Sequence, residues 1–137
     1  MALKIFADTN ILIDFIEQRP FDIENTNQLF LLAQNHEVEL YTSESVISTA
    51  YYISRQADQI EKALYLLKII CIPSTIMQTA FNSSFKDKED AILYYGAFNA
   101  KMDYFITRNE ADFKKHLSKQ LPVISAKYFC NKIMGLK

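Results

Sequence analysis

Short apolar runs alternate along this chain with longer segments in which apolar residues recur at helical spacing. The runs have the length and the β-branched and aromatic content of buried strands, at 4–7, 38–42, 69–72, 104–107 and 122–124. The segments between them predict helices over 9–17, 23–35, 44–55, 58–68, 74–81, 88–101 and 125–135. Strands separated by helices predict an α/β fold, a three-layer α/β/α sandwich with a mostly parallel central sheet of four or five strands.

Polar side chains follow two of the predicted strands at the point where each strand ends. Asp8 comes directly after the first apolar run, and Asn109 and Asp112 follow the fourth. Parallel strands joined by right-handed crossovers present their carboxyl ends along a common edge, so we expect these residues to lie close together. Asp87 and Asp90, at the start of a predicted helix, are expected to reach the same edge.

The joint use that best accounts for such acids is to bind a hard divalent cation, because Mg²⁺ and Mn²⁺ prefer carboxylate, amide and water oxygens. Three of these acids also have a structural explanation, whereas an acid directly after a buried strand, as Asp8 is, is costly unless it is solvated or paired. Asp87 and Asp90 have the spacing of a helix cap with an acid three residues on, which stabilises a helix without any function. Asp112 precedes Phe113 and would fit the cap of a short helix.

Composition predicts one compact domain over residues 1–137, since 50% of the residues are hydrophobic and 23% are charged. The formal net charge is -1, so no overall positive field attracts nucleic acid, and local lysines would have to do so. Lysines gather late in the chain, at Lys114, Lys115, Lys119, Lys127 and Lys132. They form either a phosphate-contacting face or an ordinary solvated surface.

The chain has no signal-peptide pattern and no apolar run long enough to span a bilayer, so we expect a cytoplasmic protein without a membrane partner. Cys71 and Cys130 fit no metal-ligand spacing, and we expect both to be small buried side chains. Asp14 and Glu17 are expected on the polar side of the first helix.

Three stretches of the sequence resemble those of PIN-domain proteins, in particular the VapC-like ribonuclease toxins of bacterial toxin–antitoxin pairs. They are ADTNIL at 7–12, FKDKEDA at 85–91 and DYFITRNEADF at 103–113. The resemblance implies a ribonuclease that needs Mg²⁺ or Mn²⁺ and hydrolyses RNA phosphodiester bonds. It also implies a homodimer that is held inactive by a cognate antitoxin protein.

The resemblance assigns roles to residues of this chain. Asp8 and Asp90 match metal-binding acids, Asn10 is the polar residue that supports Asp8, and Asp87 is a neighbouring acid that would reach metal or water. Many relatives have an aspartate directly after Thr-Arg, where this chain has Asn109. Asp112, one turn on, would supply the missing carboxylate, and the predicted catalytic set is therefore completed by Asn109 and Asp112.

Two further expectations concern the walls of this site. Thr107 or Arg108 is expected to contact the phosphate of the substrate. Relatives often carry a glutamate in the helix after the second strand, before a pair such as Tyr51-Tyr52, and this chain has Thr49 there. Thr49 would hold a water through its hydroxyl, and the loss of one carboxylate predicts weaker metal binding and a slower reaction.

Two other functions compete with this hypothesis. A degenerate PIN domain would bind RNA or a protein partner without cutting, which the missing glutamate and the acidic composition favour. Phosphoryl transfer through an aspartyl nucleophile, as in haloacid-dehalogenase-like phosphatases, requires a second aspartate two positions after the first, where Asn10 stands.

Overall fold

The computed structural model describes residues 2–114 and 120–136, so the predictions for Lys115 and Lys119 lie outside the described residues. The strands are β1 (Leu3–Ala7), β2 (Val38–Ser43), β3 (Lys68–Ile70), β4 (Tyr104–Ile106) and β5 (Val123–Ile124). The helices are α1 (Thr9–Glu17), α2 (Ile23–Gln34), α3 (Glu44–Ser54), α4 (Ala57–Leu64), α5 (Ser74–Phe81), α6 (Lys88–Asn99) and α7 (Ala126–Tyr128). A 3₁₀ turn (Glu110–Asp112) follows β4, and a π-helical segment (Phe129–Ile133) follows α7.

The five strands form one parallel sheet in the order β3-β2-β1-β4-β5. This confirms the predicted three-layer α/β/α fold. β1 is the central strand, and Ala7 at its end lies beside Ile106 of β4. The residue that follows β1 is therefore next to the segment that follows β4.

Buried aromatic rings hold two segments of the chain together beneath the end of β4. Phe105 of β4 stacks on Phe6 of β1 and meets the ring of Phe113, with centroids 5.2 and 5.0 Å away. Phe113 in turn packs edge-on against Phe85, at 5.7 Å. Phe85 and Phe113 are almost fully buried, so the acid-bearing segments next to each of them are anchored to a common core.

Several predicted boundaries were wrong. The helix predicted over 58–68 ends at Leu64, and β3 begins at Lys68 and ends at Ile70. The helical spacing extended too far because Leu67, in the turn after α4, is buried like a residue of the helix. The continuous last helix is instead one α-helical turn followed by the π-helical segment.

Two smaller observations complete the description of the fold. Cys130 is buried as expected, but Cys71 is exposed because β3 ends one residue before it. Within 2–114 and 120–136, no helix has the length and apolar character needed to cross a membrane.

Candidate active site

Asp8 directly follows β1 and caps the N-terminus of α1, where two donors fix its carboxylate. Oδ1 accepts a hydrogen bond from the backbone N–H of Thr9 at 2.8 Å, and Oδ2 accepts one from the hydroxyl of Thr107 at 2.7 Å. The backbone N–H of Asp8 donates to the carbonyl of Ile106 at 2.9 Å. The side chain is only 3% exposed, so these bonds set the orientation of a nearly buried carboxylate.

The pKa of Asp8 is raised above its ordinary value, and burial is the main cause. The hydrogen bonds from Thr107 and Thr9 favour the charged form and oppose this shift. The carboxylates of Glu89 and Asp87 raise the pKa of Asp8 further, so charges at the start of α6 act on the residue at the end of β1.

Asp87 caps α6, in agreement with the helix cap predicted from its spacing to Asp90. Its Oδ1 accepts hydrogen bonds from the backbone N–H groups of Glu89 and Asp90, at 2.9 and 3.3 Å. Since Asp87 is exposed and its other carboxylate oxygen makes neither of these bonds, it can still add negative charge to the site. Its first role is to begin the helix that carries Asp90.

Asp90 is the acid that the other carboxylates of the site affect most clearly. It lies in the first turn of α6 and is half-buried. Its pKa is raised to about 7, first by burial and then by the carboxylates of Asp8, Asp87, Asp112 and Glu89. Acids from three separate segments therefore come close enough to repel one another, as the sequence predicted.

The segment after β4 supplies the remaining predicted residues. Asp112 ends the 3₁₀ turn and is exposed, and it lines a cavity of about 590 Å³ together with Asp87 and Asp90. The backbone N–H of Asn109 donates to the Thr107 hydroxyl at 3.1 Å, and the Asn109 side chain is exposed. This side of the site is thus held through Thr107.

Two predicted residues occupy the surrounding helices. Asn10 is half-buried in the first turn of α1, and Thr49 is half-buried in α3, which packs against α1. In the described part of the chain, no hydrogen bond links either side chain to Asp8 or Asp90. Their proposed roles therefore depend on the resemblance.

Arg108 makes a contact that the sequence did not suggest. Its Nε lies 3.0 Å from Oδ2 of Asp14, and its guanidinium lies 4.4 Å from the ring centroid of Phe21. Asp14 is 1% exposed, so its placement on the polar side of the helix was wrong. Burial raises the pKa of Asp14, and Arg108 and then Arg19 oppose that shift. One sequence signal was available, since Asp14 interrupts an apolar run in α1.

The donor atoms fit a hydrated divalent cation. Within 2–114 and 120–136, no three acidic, histidine or cysteine side chains are grouped closely enough to hold a metal ion between them. Mg²⁺ usually keeps several waters and binds through one or two carboxylates, which Asp8 and Asp90 can provide. Burial and the neighbouring carboxylates raise the pKa of both residues, and a bound cation would oppose that shift.

We expect Thr107→Val to weaken both the fold and the site. The isosteric valine leaves Oδ2 of Asp8 and the N–H of Asn109 without this partner, at a cost of about 1–3 kcal/mol in unfolding free energy. The pKa of Asp8 should rise further, because the hydroxyl favours its charged form. Urea unfolding and NMR titration of the Asp8 carboxyl measure the two effects.

Thr42→Val is the matched control for that variant. Thr42 is also fully buried, but its hydroxyl donates to the Ala7 carbonyl at 3.0 Å. The control should lose stability and leave the Asp8 titration unchanged. An equal change in the Asp8 pKa in both variants would contradict the role given to Thr107.

Comparison with known proteins identifies the family. Residues 4–111 match the model of the PIN domain. The chain is 23% identical over 140 aligned positions to Ribonuclease VapC1 of Aquifex aeolicus (strain VF5), and 94% of each protein is covered.

Two solved structures have a similar fold. A toxin-antitoxin complex from Klebsiella pneumoniae aligns with a TM-score of 0.63 at 24% identity, over 85% of this chain and 94% of the other. VapBC2 from Rickettsia felis, bound to a DNA fragment from its promoter, aligns with a TM-score of 0.58 at 20% identity, over 87% and 96%. The chain therefore belongs to the PIN-domain family, within which it resembles the VapC proteins.

Proposed function

We propose that this protein is a Mg²⁺- or Mn²⁺-dependent ribonuclease that hydrolyses RNA phosphodiester bonds, and that it is the toxin of a toxin–antitoxin pair. The observation that carries the proposal is the convergence of acids on Asp90, whose pKa is raised to about 7. The similarity to Ribonuclease VapC1 and to toxin–antitoxin structures supports it. That similarity does not favour the alternative, a PIN domain that binds RNA or a protein partner without cutting.

Asp8 and Asp90 would hold the cation, and Asp112 and Asn109 would complete the polar set around it. A bound divalent cation supplies an acidified water and stabilises charge on the phosphate oxygens. The chain's own contribution is orientation, since Thr9 and Thr107 fix both oxygens of Asp8. A pKa of about 7 leaves Asp90 partly protonated at neutral pH, so binding of the cation should release a proton.

RNA cleavage in the presence and absence of divalent ions tests this proposal. The purified protein should cut a mixture of transfer and ribosomal RNA with Mg²⁺ or Mn²⁺ and stop when EDTA is added. Equal cleavage in EDTA would contradict the metal requirement. A failure to cut any of these RNAs with either ion would contradict the ribonuclease assignment.

We propose that Thr49 limits the reaction, because relatives often carry a carboxylate at that position of α3. Thr49→Glu should tighten Mn²⁺ binding and raise the cleavage rate, each by roughly tenfold, as expected for a group close to a metal. Calorimetry and initial rates measure the two effects. Ser48→Glu, on an exposed neighbouring residue, is the matched control and should change neither. Equal effects of both variants would show a general response to added charge.

We also propose that the chain forms a homodimer and binds a cognate antitoxin. Large exposed apolar side chains support this, because surfaces of this kind commonly mark protein interfaces. They include Tyr51, Tyr52, Tyr65, Met77 and Phe81. Sedimentation of the isolated chain should give the mass of two copies.

Because the proposed substrate of this protein is RNA, we propose that it acts in the cytoplasm.

A further inference from the structure

We propose that Asp14 is a positioning residue for the acidic site, acting through Arg108 on the segment that follows β4. The inference rests on the proposed ribonuclease function for its effect on rate. Asp14 would touch neither the substrate nor the metal. Its role is to hold Arg108, and through the backbone its neighbour Thr107, in one place.

The contact joins a buried carboxylate to a partly exposed cation. The Asp14 side chain is 1% exposed and that of Arg108 is 32% exposed, with Nε and Oδ2 separated by 3.0 Å. Neither oxygen of Asp14 accepts a well-aligned hydrogen bond in the described part of the chain. Arg108 is therefore the nearest positive charge to the buried Asp14 carboxylate. The carboxylate attracts the guanidinium of Arg108 toward α1.

Packing alone does not fix Arg108. It borders a cavity of about 480 Å³ that is also lined by Asp14, Phe21, Thr107 and Lys127. Phe21 lies over the guanidinium, but it is itself 50% exposed and belongs to no helix or strand. The ion pair with Asp14 of α1 is thus the contact that we expect to fix the Arg108 side chain.

The position of Arg108 matters because its two neighbours in sequence form the wall of the acidic site. Thr107 donates its hydroxyl to Asp8, and the backbone N–H of Asn109 donates to the same hydroxyl. Asp8 and Asp14 both belong to the α1 region, the first as its cap and the second within it. The segment after β4 is consequently attached to α1 at two points.

A buried ion pair is weak support for stability, because apolar residues of similar volume often serve as well or better. Its better-supported use is to specify one arrangement among several. Here the arrangement specified is that of the Thr107 hydroxyl relative to Asp8. Loss of a group that orients a metal ligand typically lowers activity by about 10–100-fold.

Arg108 could instead contact the RNA phosphate directly. For Asp14→Asn, that role predicts a different change in KM and kcat. In Asp14→Asn the guanidinium loses the charge that holds it and is attracted more readily to phosphate. A phosphate-binding Arg108 would then lower KM. A positioned Arg108 would lose its fixed place, and kcat would fall while KM stays the same.

Steady-state kinetics of Asp14→Asn tests the proposal. We expect kcat to fall by about 10–100-fold with KM within twofold of the wild type. Arg108→Gln should show the same loss, and Arg108→Lys, which keeps the charge, should recover part of it. Glu17→Gln, also in α1, is the matched control. It breaks the 2.7 Å pair with Arg19, which lies just beyond the helix, and should leave kcat unchanged.

Amide hydrogen exchange provides a readout that does not depend on RNA cleavage. In Asp14→Asn the N–H of Asn109, which donates to Thr107, should exchange at least about tenfold faster. The N–H of Asp8, which donates to Ile106 within the sheet, should remain protected. This pattern would support the positioning role even if the protein cut no RNA, so that only the proposed function would fail.

Three results would overturn the proposal. The first is a kcat within twofold of the wild type in both Asp14→Asn and Arg108→Gln. The second is a fall in KM in Asp14→Asn, which would assign Arg108 to the phosphate. The third is unchanged exchange of the Asn109 N–H in a folded Asp14→Asn protein.

Discussion

Replacing Asp8 and Asp90 together by asparagine is expected to lower RNA cleavage by at least about 10³-fold, since metal catalysis supplies several kcal/mol and each 1.36 kcal/mol is tenfold. The amides keep the size of the side chains and remove both charges. Without those charges, the site loses the two carboxylates that would attract a cation. Initial rates with saturating Mn²⁺ measure the loss.

The same double variant should be at least as stable as the wild type at pH 8. Both residues have a raised pKa, so their charged forms are disfavoured in the folded protein relative to the unfolded chain. Asparagine removes that unfavourable charge and can still accept one of the hydrogen bonds made to Asp8. Loss of activity with retained stability would separate function from folding.

The matched control is Asp58→Asn with Glu61→Gln, which removes the same two charges from exposed positions of α4. It should cleave RNA at the wild-type rate. Residual activity in Asp8→Asn/Asp90→Asn equal to that of the wild type would remove both residues from the catalytic set.

The unfolding free energy of the wild type, measured without metal, is expected to fall as pH rises from about 4 to about 7. The ordinary pKa of an aspartate is 3.8, and the pKa of Asp90 in the folded protein is about 7. Between these values the folded protein binds more protons than the unfolded chain, so stability decreases with rising pH. Because Asp90 is half-buried, its share should be only on the order of 1 kcal/mol.

Mn²⁺ should reverse that decline. A cation that binds only the folded protein adds about 2.7 kcal/mol at one hundred times its Kd, and it competes with protons for Asp90. The gain should therefore be large at pH 8 and small at pH 4. Urea unfolding at both pH values, with and without Mn²⁺, measures it.

Asp90→Asn is the comparison that isolates the residue. It should flatten the pH dependence and lose most of the gain from Mn²⁺. An equal gain from Mn²⁺ in the variant and the wild type would show that the ion binds elsewhere. A wild-type stability that rises between pH 5 and pH 7 would contradict the pKa shift.

The parts of the fold and site that the sequence predicted depend on local pattern. The apolar run before Asp8, the cap at Asp87 and the polar residues after β4 are each visible within a few neighbouring positions. Their convergence followed from the parallel sheet, because that arrangement places strand ends on one edge. The family resemblance then assigned their roles.

The pairing of Asp14 with Arg108 could not be predicted in this way. The two residues lie far apart in sequence, and a single acid in a helix gives no indication of which cation will face it. Helical spacing placed Asp14 on the polar side because an aspartate is usually solvated. The end of the helix predicted over 58–68 was wrong for a similar reason. Leu67 lies beyond α4 but is buried, so its position in the sequence fitted the helical spacing.

The central position of β1 also has a consequence for the time at which the site can exist. β1 pairs with β4 through Ile5 and Tyr104, so this contact closes a long loop and cannot form before β4 has been synthesised. During synthesis, Asp8 leaves the ribosome long before Thr107, Asp90 or Asp112. A chain that ends before the segment after β4 therefore cannot assemble the acidic site, and the proposed cleavage of RNA would require synthesis through at least Asp112.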